Sequence, residues 1–131
     1  MMPPIELEPS KVQAEVENNK TRQTAQLVSP NPALVNGTLS STSDTDYYRV
    51  TLAGGKTLTA TLTGPAGANY NLYLYNANGT LVASSTQGTG AVETATFANT
   101  GSAAATVYAR VVYASGGTGS VNGKYTLKLA Q

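Results

Sequence analysis

Apolar and polar positions alternate along most of this chain. The clearest run sets Tyr48, Val50 and Leu52 against Tyr47, Arg49 and Thr51. A period of two sends one set to a buried face and the other to water, which is the mark of a half-buried β-strand. The alternation returns in Lys56 to Leu62, where Leu58, Ala60 and Leu62 oppose three threonines. It returns again in Asn71 to Tyr75, where Leu72 and Leu74 oppose Tyr73 and Tyr75. Leu34 to Leu39, Thr80 to Ser84, Glu93 to Phe97, Thr106 to Tyr113 and Tyr125 to Leu129 complete the set.

Turn chemistry separates these runs. Gly54-Gly55, Gly64-Pro65 and Asn78-Gly79 all break the pattern, and Asn-Gly supplies the positive φ angles of a tight hairpin. Asn36-Gly37 gives the same signal inside Leu34 to Leu39, so that strand is expected to be interrupted; the two Asn-Gly-Thr sequons, 36–38 and 78–80, read as turns. Thr21 to Leu27 is a short helical turn or irregular, and Pro30 and Pro32 stop any helix beyond it. Ser115 to Asn122, rich in Gly and Ser, reads as a mobile loop tip. Residues 1–13 show no period and read as a tether, leaving 14–131 as the domain. Seven or eight short strands without a long helix predict an all-β protein: an antiparallel β-sandwich, jelly-roll-like rather than a closed barrel.

Composition narrows the function. With 11% charged residues and a net charge of +1, no long-range field draws in nucleic acid or an anionic membrane. No apolar run approaches the roughly 20 residues of a membrane span, and Met1-Met2-Pro3-Pro4 lacks the features of a signal peptide, so any export signal is expected farther upstream. The chain has no histidine and no cysteine. That excludes His-based nucleophilic triads, zinc sites of the usual ligands and disulfides. Two carboxylates can cleave a glycoside only across a cleft, and a Thr-faced sandwich offers none; catalysis by this chain is not expected.

Six of the seven acidic residues precede residue 47. Glu15, Glu17 and Asn19 lie on one segment, and Asp44 and Asp46 at the entry to a strand. Together they offer the hard oxygens that calcium prefers. The plainer alternative is that the two aspartates bond nearby backbone N–H groups in a turn.

Five blocks in register carry a resemblance. Glu15-Val16-Glu17-Asn18-Asn19-Lys20-Thr21, Gly37-Thr38-Leu39, Asp44-Thr45-Asp46-Tyr47-Tyr48, Asn71-Leu72-Tyr73-Leu74-Tyr75 and Gly123-Lys124-Tyr125-Thr126-Leu127 follow in order. They resemble the bacterial pre-peptidase C-terminal domain over nearly the whole chain. The resemblance implies a non-catalytic, monomeric β-sandwich of a secreted, extracellular peptidase, covalently linked to a peptidase domain upstream. Its role would be to assist secretion or maturation, or to hold the enzyme on a polymeric protein or polysaccharide. It further implies calcium at Glu15, Glu17, Asn19, Asp44 and Asp46. Lys20 departs from the pattern, standing where calcium-binding relatives carry aspartate. An ammonium repels a cation, so the site is weakened, or Lys20 points away, or Lys20 or Arg22 neutralises the carboxylates instead of the metal. The competing reading is a stand-alone polysaccharide- or protein-binding module of a surface adhesin.

The eight tyrosines divide by phase. Tyr48 and Tyr125 fall in step with core positions, whereas Tyr73 and Tyr75 oppose Leu72 and Leu74 and face outward. In Thr106 to Tyr113, burying Arg110 would be costly, so Val107, Ala109, Val111 and Tyr113 face in. Tyr108 and Arg110 then join Tyr73 and Tyr75 as the expected ligand-binding surface. Collagen-binding relatives carry aromatics where Val112 and Ala114 stand, so collagen is not the expected ligand.

Overall fold

The structure is a computed structural model and describes residues 11–131. Ten strands form two five-stranded sheets. Sheet A runs β1 (Lys11–Ala14), β3 (Ala33–Thr38), β10 (Lys124–Ala130), β5 (Thr57–Thr63), β8 (Glu93–Ala98). Sheet B runs β2 (Gln26–Leu27), β4 (Thr45–Leu52), β9 (Ala105–Ser115), β6 (Asn69–Asn76), β7 (Leu81–Ser85). The eight strands β3 to β10 have jelly-roll connectivity: β3, β10, β5 and β8 form one layer, and β4, β9, β6 and β7 the other.

The count of ten exceeds the seven or eight expected from alternation. The two extra strands, β1 and β2, are too short to show a period. Each pairs in parallel with an open edge, β1 with β3 and β2 with β4. Lys11 to Gln13, read from sequence as tether, thus belong to sheet A; residues 1–10 of that tether lie outside the described residues.

Each long strand sends alternate side chains into one core. Val50, Leu52, Leu58, Leu62, Leu72, Leu74, Leu127 and Leu129 are fully buried there, and each buried aliphatic side chain contributes about 1.5–3 kcal/mol. β9 takes the expected phase, with Val107, Ala109 and Val111 at 0% exposure. Tyr48 and Tyr125 are core residues, as is Tyr70.

Two local expectations are corrected. Asn36-Gly37 makes no turn, because β3 continues through it opposite Tyr125. A Cβ on Gly37 would sit 2.3 Å from the Tyr125 ring, so glycine is present for close approach rather than for a turn. The other Asn-Gly does turn the chain, with Gly79 at φ 83. The segment read as a loop tip contains one helical turn, α1 (Gly119–Asn122). Its flank is tied down by the Tyr70 hydroxyl donating to the Gly117 carbonyl at 2.6 Å and by Gly119 N–H donating to Leu39 at 2.7 Å.

Candidate functional site

Between β1 and β2 the chain crosses from sheet A to sheet B, and this crossing carries Glu15, Glu17, Asn19 and Lys20. Backbone bonds fix its path: Glu15 N–H donates to Asn36 at 2.9 Å, and Tyr47 N–H donates to the Asn19 carbonyl at 2.7 Å. Gln26 fastens the other side, accepting from Val16 N–H and donating to the Ala14 carbonyl. The crossing therefore closes one end of the sandwich, over the end of β3 and the start of β4.

Beneath it lies a chain of buried polar groups. Asp46 points inward at 0% exposure and accepts the Tyr125 hydroxyl at Oδ2, 2.6 Å. Since that hydroxyl has one proton, Tyr48 must donate to the Tyr125 oxygen in their short mutual bond. The chain Tyr48–Tyr125–Asp46 joins the two sheets through the core. Burial pushes both phenols above their usual range.

Three oxygens converge on the remaining side of Asp46. The amide head of Asn19, itself fully buried, lies 3.2 Å from Glu15 Oε2 and 3.0 Å from Asp46 Oδ1. Turned nitrogen-first, which satisfies its hydrogen bonds, Asn19 donates to both carboxylates. Glu15, Glu17 and Asp46 each bring a carboxylate oxygen within 4.8 Å of the others. Without a cation the charge is relieved by protons. Burial, reinforced by hydrogen bonds to Asp46 and Glu17, pushes the Glu15 carboxyl up to about 10. Burial likewise pushes Asp46 up to about 6, against the hydrogen bonds from Glu15 and Tyr125.

The expected ligand residues divide into two groups. Glu15, Glu17, Asn19 and Asp46 come together. Asp44 turns aside, receiving Lys20 Nζ on Oδ1 at 2.6 Å and both the N–H and hydroxyl of Ser40 on Oδ2. Burial alone would raise the Asp44 carboxyl, but Lys20 and Ser40 outweigh it and hold it below its usual value. Lys20 also bonds Glu17 at 3.0 Å, and the Asp44 contact raises its own pKa. The ammonium thus occupies the Asp44 side of the cluster, and the Glu15–Glu17–Asp46 side is the part that could hold a cation. Those residues fit one: Glu15, Glu17 and Asp46 each bring a hard carboxylate oxygen to one place, and the half-exposed Glu17 leaves room for water ligands.

The second candidate surface is the outer face of sheet B. Strand register puts Leu27, Arg49, Tyr108, Tyr75 and Leu81 in one row and Tyr47, Arg110, Tyr73 and Ser84 in the next. Tyr73, Tyr75, Tyr108 and Arg110 do share this face, all half-buried. Tyr47, Arg49 and Arg22 join them without having been singled out from sequence. Tyr47 and Arg49 stood on the wet phase of β4, but only the β4–β9–β6 pairing shows them beside the others. Arg110 lies over the Tyr47 ring at 5.1 Å and Arg22 over Tyr108 at 5.8 Å.

Fold and clamp together define a jelly-roll sandwich whose N-terminal crossing is locked by acidic groups. No protein-family model and no curated protein sequence matches the chain. Solved structures do. The pre-peptidase C-terminal domain of a collagenase from Bacillus anthracis matches with TM-score 0.58 at 20% identity, over 81% of this chain and 92% of that one. A periplasmic inhibitor of g-type lysozyme from Aeromonas hydrophila matches with TM-score 0.50 at 14% identity, over 92% and 97%. At such identities the likeness is one of fold: this chain has the fold of a pre-peptidase C-terminal domain, as its sequence blocks implied.

Proposed function

We propose that this chain is a non-catalytic accessory domain of a secreted bacterial peptidase. It holds the linked enzyme on a polymeric target through the outer face of sheet B, while calcium locks its N-terminal crossing. The observation that carries this reading is the acidic cage of Glu15, Glu17 and Asp46, built across the two sheets of a fold shared with a collagenase's pre-peptidase C-terminal domain. When bound, calcium would neutralise the cage in place of the Glu15 proton. Glu15 and Glu17 would hold it from the crossing and Asp46 from β4, so that a chain entering from an upstream domain is fastened to the core. The seat is smaller than the expected set of five ligands, because Lys20 has taken Asp44.

The test uses the full-length protein with and without this domain. Deletion is expected to leave hydrolysis of a short soluble peptide intact and to abolish retention on the insoluble target. Loss of short-peptide hydrolysis, or turnover by the isolated domain, would overturn the accessory reading. A parent chain without a peptidase domain would leave the adhesin module in its place.

A further inference from the structure

The outer face of sheet B has an unusual charge balance. Arg22, Arg49 and Arg110 have no carboxylate within ion-pair distance among the described residues. Strands β2, β4, β6, β7 and β9 contain no lysine, no glutamate and one aspartate, Asp46, which points into the core. The Arg110 guanidinium sits over the Tyr47 ring as a cation–π pair. Arg110 spends Nε on Thr45 Oγ1 at 2.9 Å and directs Nη1 to the Tyr75 hydroxyl at 3.4 Å, leaving Nη2 without a partner among the described residues. At the two ends of the Arg49–Tyr108–Tyr75 row stand Leu27, 60% exposed, and Leu81, 50% exposed.

We propose that this face docks an acidic polypeptide, one in which carboxylates alternate with apolar or aromatic side chains. The proposal rests on the reading that sheet B's outer face is the attachment surface, and it names the chemistry of what attaches. A surface of tyrosine and arginine that lacks lysine and accessible carboxylates has the composition of a protein–protein interface, and tyrosine and arginine are the residues of its hot spots. Fixed guanidinium forks are matched to carboxylates, which they bind in bidentate fashion. The five strands span about 19 Å from β2 to β7, room for an extended segment of five or six residues at about 3.4 Å each. An acidic polysaccharide fits less well. Sugars stack on open ring faces, and guanidinium groups already cover Tyr47 and Tyr108; the exposed leucines would have nothing to do.

The test measures binding of the whole domain to a glutamate–tyrosine copolymer, to polyglutamate, to polygalacturonate and to an uncharged glucan, by calorimetry. The copolymer is expected to bind most tightly, polyglutamate less tightly, and the two sugar polymers not at all. Arg49→Gln is expected to weaken copolymer binding about tenfold; Arg49 is exposed, so this variant tests the face without risk to folding. Arg110→Gln should weaken it at least as much, with an unchanged melting curve as the control. Polygalacturonate binding as tightly as the copolymer would overturn the proposal in favour of an acidic polysaccharide. Copolymer binding indifferent to both arginines would also overturn it. Glucan binding that depends on Tyr73 but on neither arginine would overturn this proposal and keep the attachment reading, whereas no binding by any polymer would sink both.

Discussion

Replacing Tyr125 by Phe removes one oxygen from the middle of the Tyr48–Tyr125–Asp46 chain, and the structure says what that costs. Asp46 is fully buried, and among the described residues its Oδ2 accepts only the Tyr125 hydroxyl. A hydrogen bond to a charged group contributes about 1.5–3 kcal/mol, and stranding a buried partner adds to the loss. Tyr48 also loses its acceptor. The expected destabilisation is about 2–3 kcal/mol, which for a chain of this length lowers Tm by about 7–11 °C. Tyr48→Phe removes a bond between two neutral hydroxyls and should cost only about 1 kcal/mol. Because the donors run in series, the double variant should lose less than the two single losses added together. Thermal and urea melts of the four proteins in chelator measure the cycle. If Tyr48→Phe proves as costly as Tyr125→Phe, or if the two losses simply add, the chain does not run toward Asp46 as described.

Other outcomes follow from the same site. In chelator, Glu15 binds a proton in the folded state from its ordinary 4.5 up to about 10, so the folded form holds more protons than the unfolded one and stability falls as pH rises through that window. Asp46 adds the same slope between 3.8 and about 6; Glu17 and Asp44, both lowered, contribute stability that is lost as pH falls. Melting curves from pH 5 to 9 should therefore decline in chelator and flatten in calcium; a rising chelator curve contradicts the buried proton. Calcium should raise Tm by ligand linkage and release a proton on binding, and Lys20→Asp should enlarge that rise while lowering Tm in chelator. A calcium increment no larger than the parent's would mean that Lys20 does not compete with the cation. Gly37→Ala drives a methyl group into the Tyr125 ring and should cost about 1–3 kcal/mol by overpacking; a melt within experimental error of the parent would refute the close approach.

Alternation was enough to find β3 to β10 and to phase β4 and β6 by their apolar positions, and β9 followed because the other phase would have buried Arg110. It could not find β1 or β2. Those strands exist because β3 and β4 present open edges, not because of anything in their own few residues. The two Asn-Gly pairs show the limit more sharply. They are chemically identical, yet one turns the chain and the other lies flat under a tyrosine ring contributed by the last strand. Glu93 carries a similar lesson. It is buried, and its Oε1 accepts from the Ser85 hydroxyl and Gln87 N–H. Local spacing could not supply those partners. The acidic cluster was legible as a set of ligand types; that Asp44 would leave it for Lys20 and Ser40 depends on where the crossing lies.

The acidic cluster and the outer face of sheet B share structural elements. β4 serves both by its period of two: Asp46 and Tyr48 point into the clamp, while Tyr47 and Arg49 point out onto the face. The crossing serves both as well. Held at Glu15 and Asn19, it delivers Arg22 over Tyr108 and Leu27 beside Arg49. β2 is only two residues long, and besides its pairing with β4 it is fastened to the crossing itself, through Gln26 to Val16 and Ala14. Loosening the cage should therefore remove Arg22 and Leu27 from the face and leave Tyr73, Tyr75 and Arg110, which stand on β6 and β9, where they are. Glu15→Ala should accordingly weaken copolymer binding about as much as the pair Arg22→Gln and Leu27→Ala, and adding that pair to Glu15→Ala should change little further. Fully additive losses would show that the acidic clamp and the attachment face are independent.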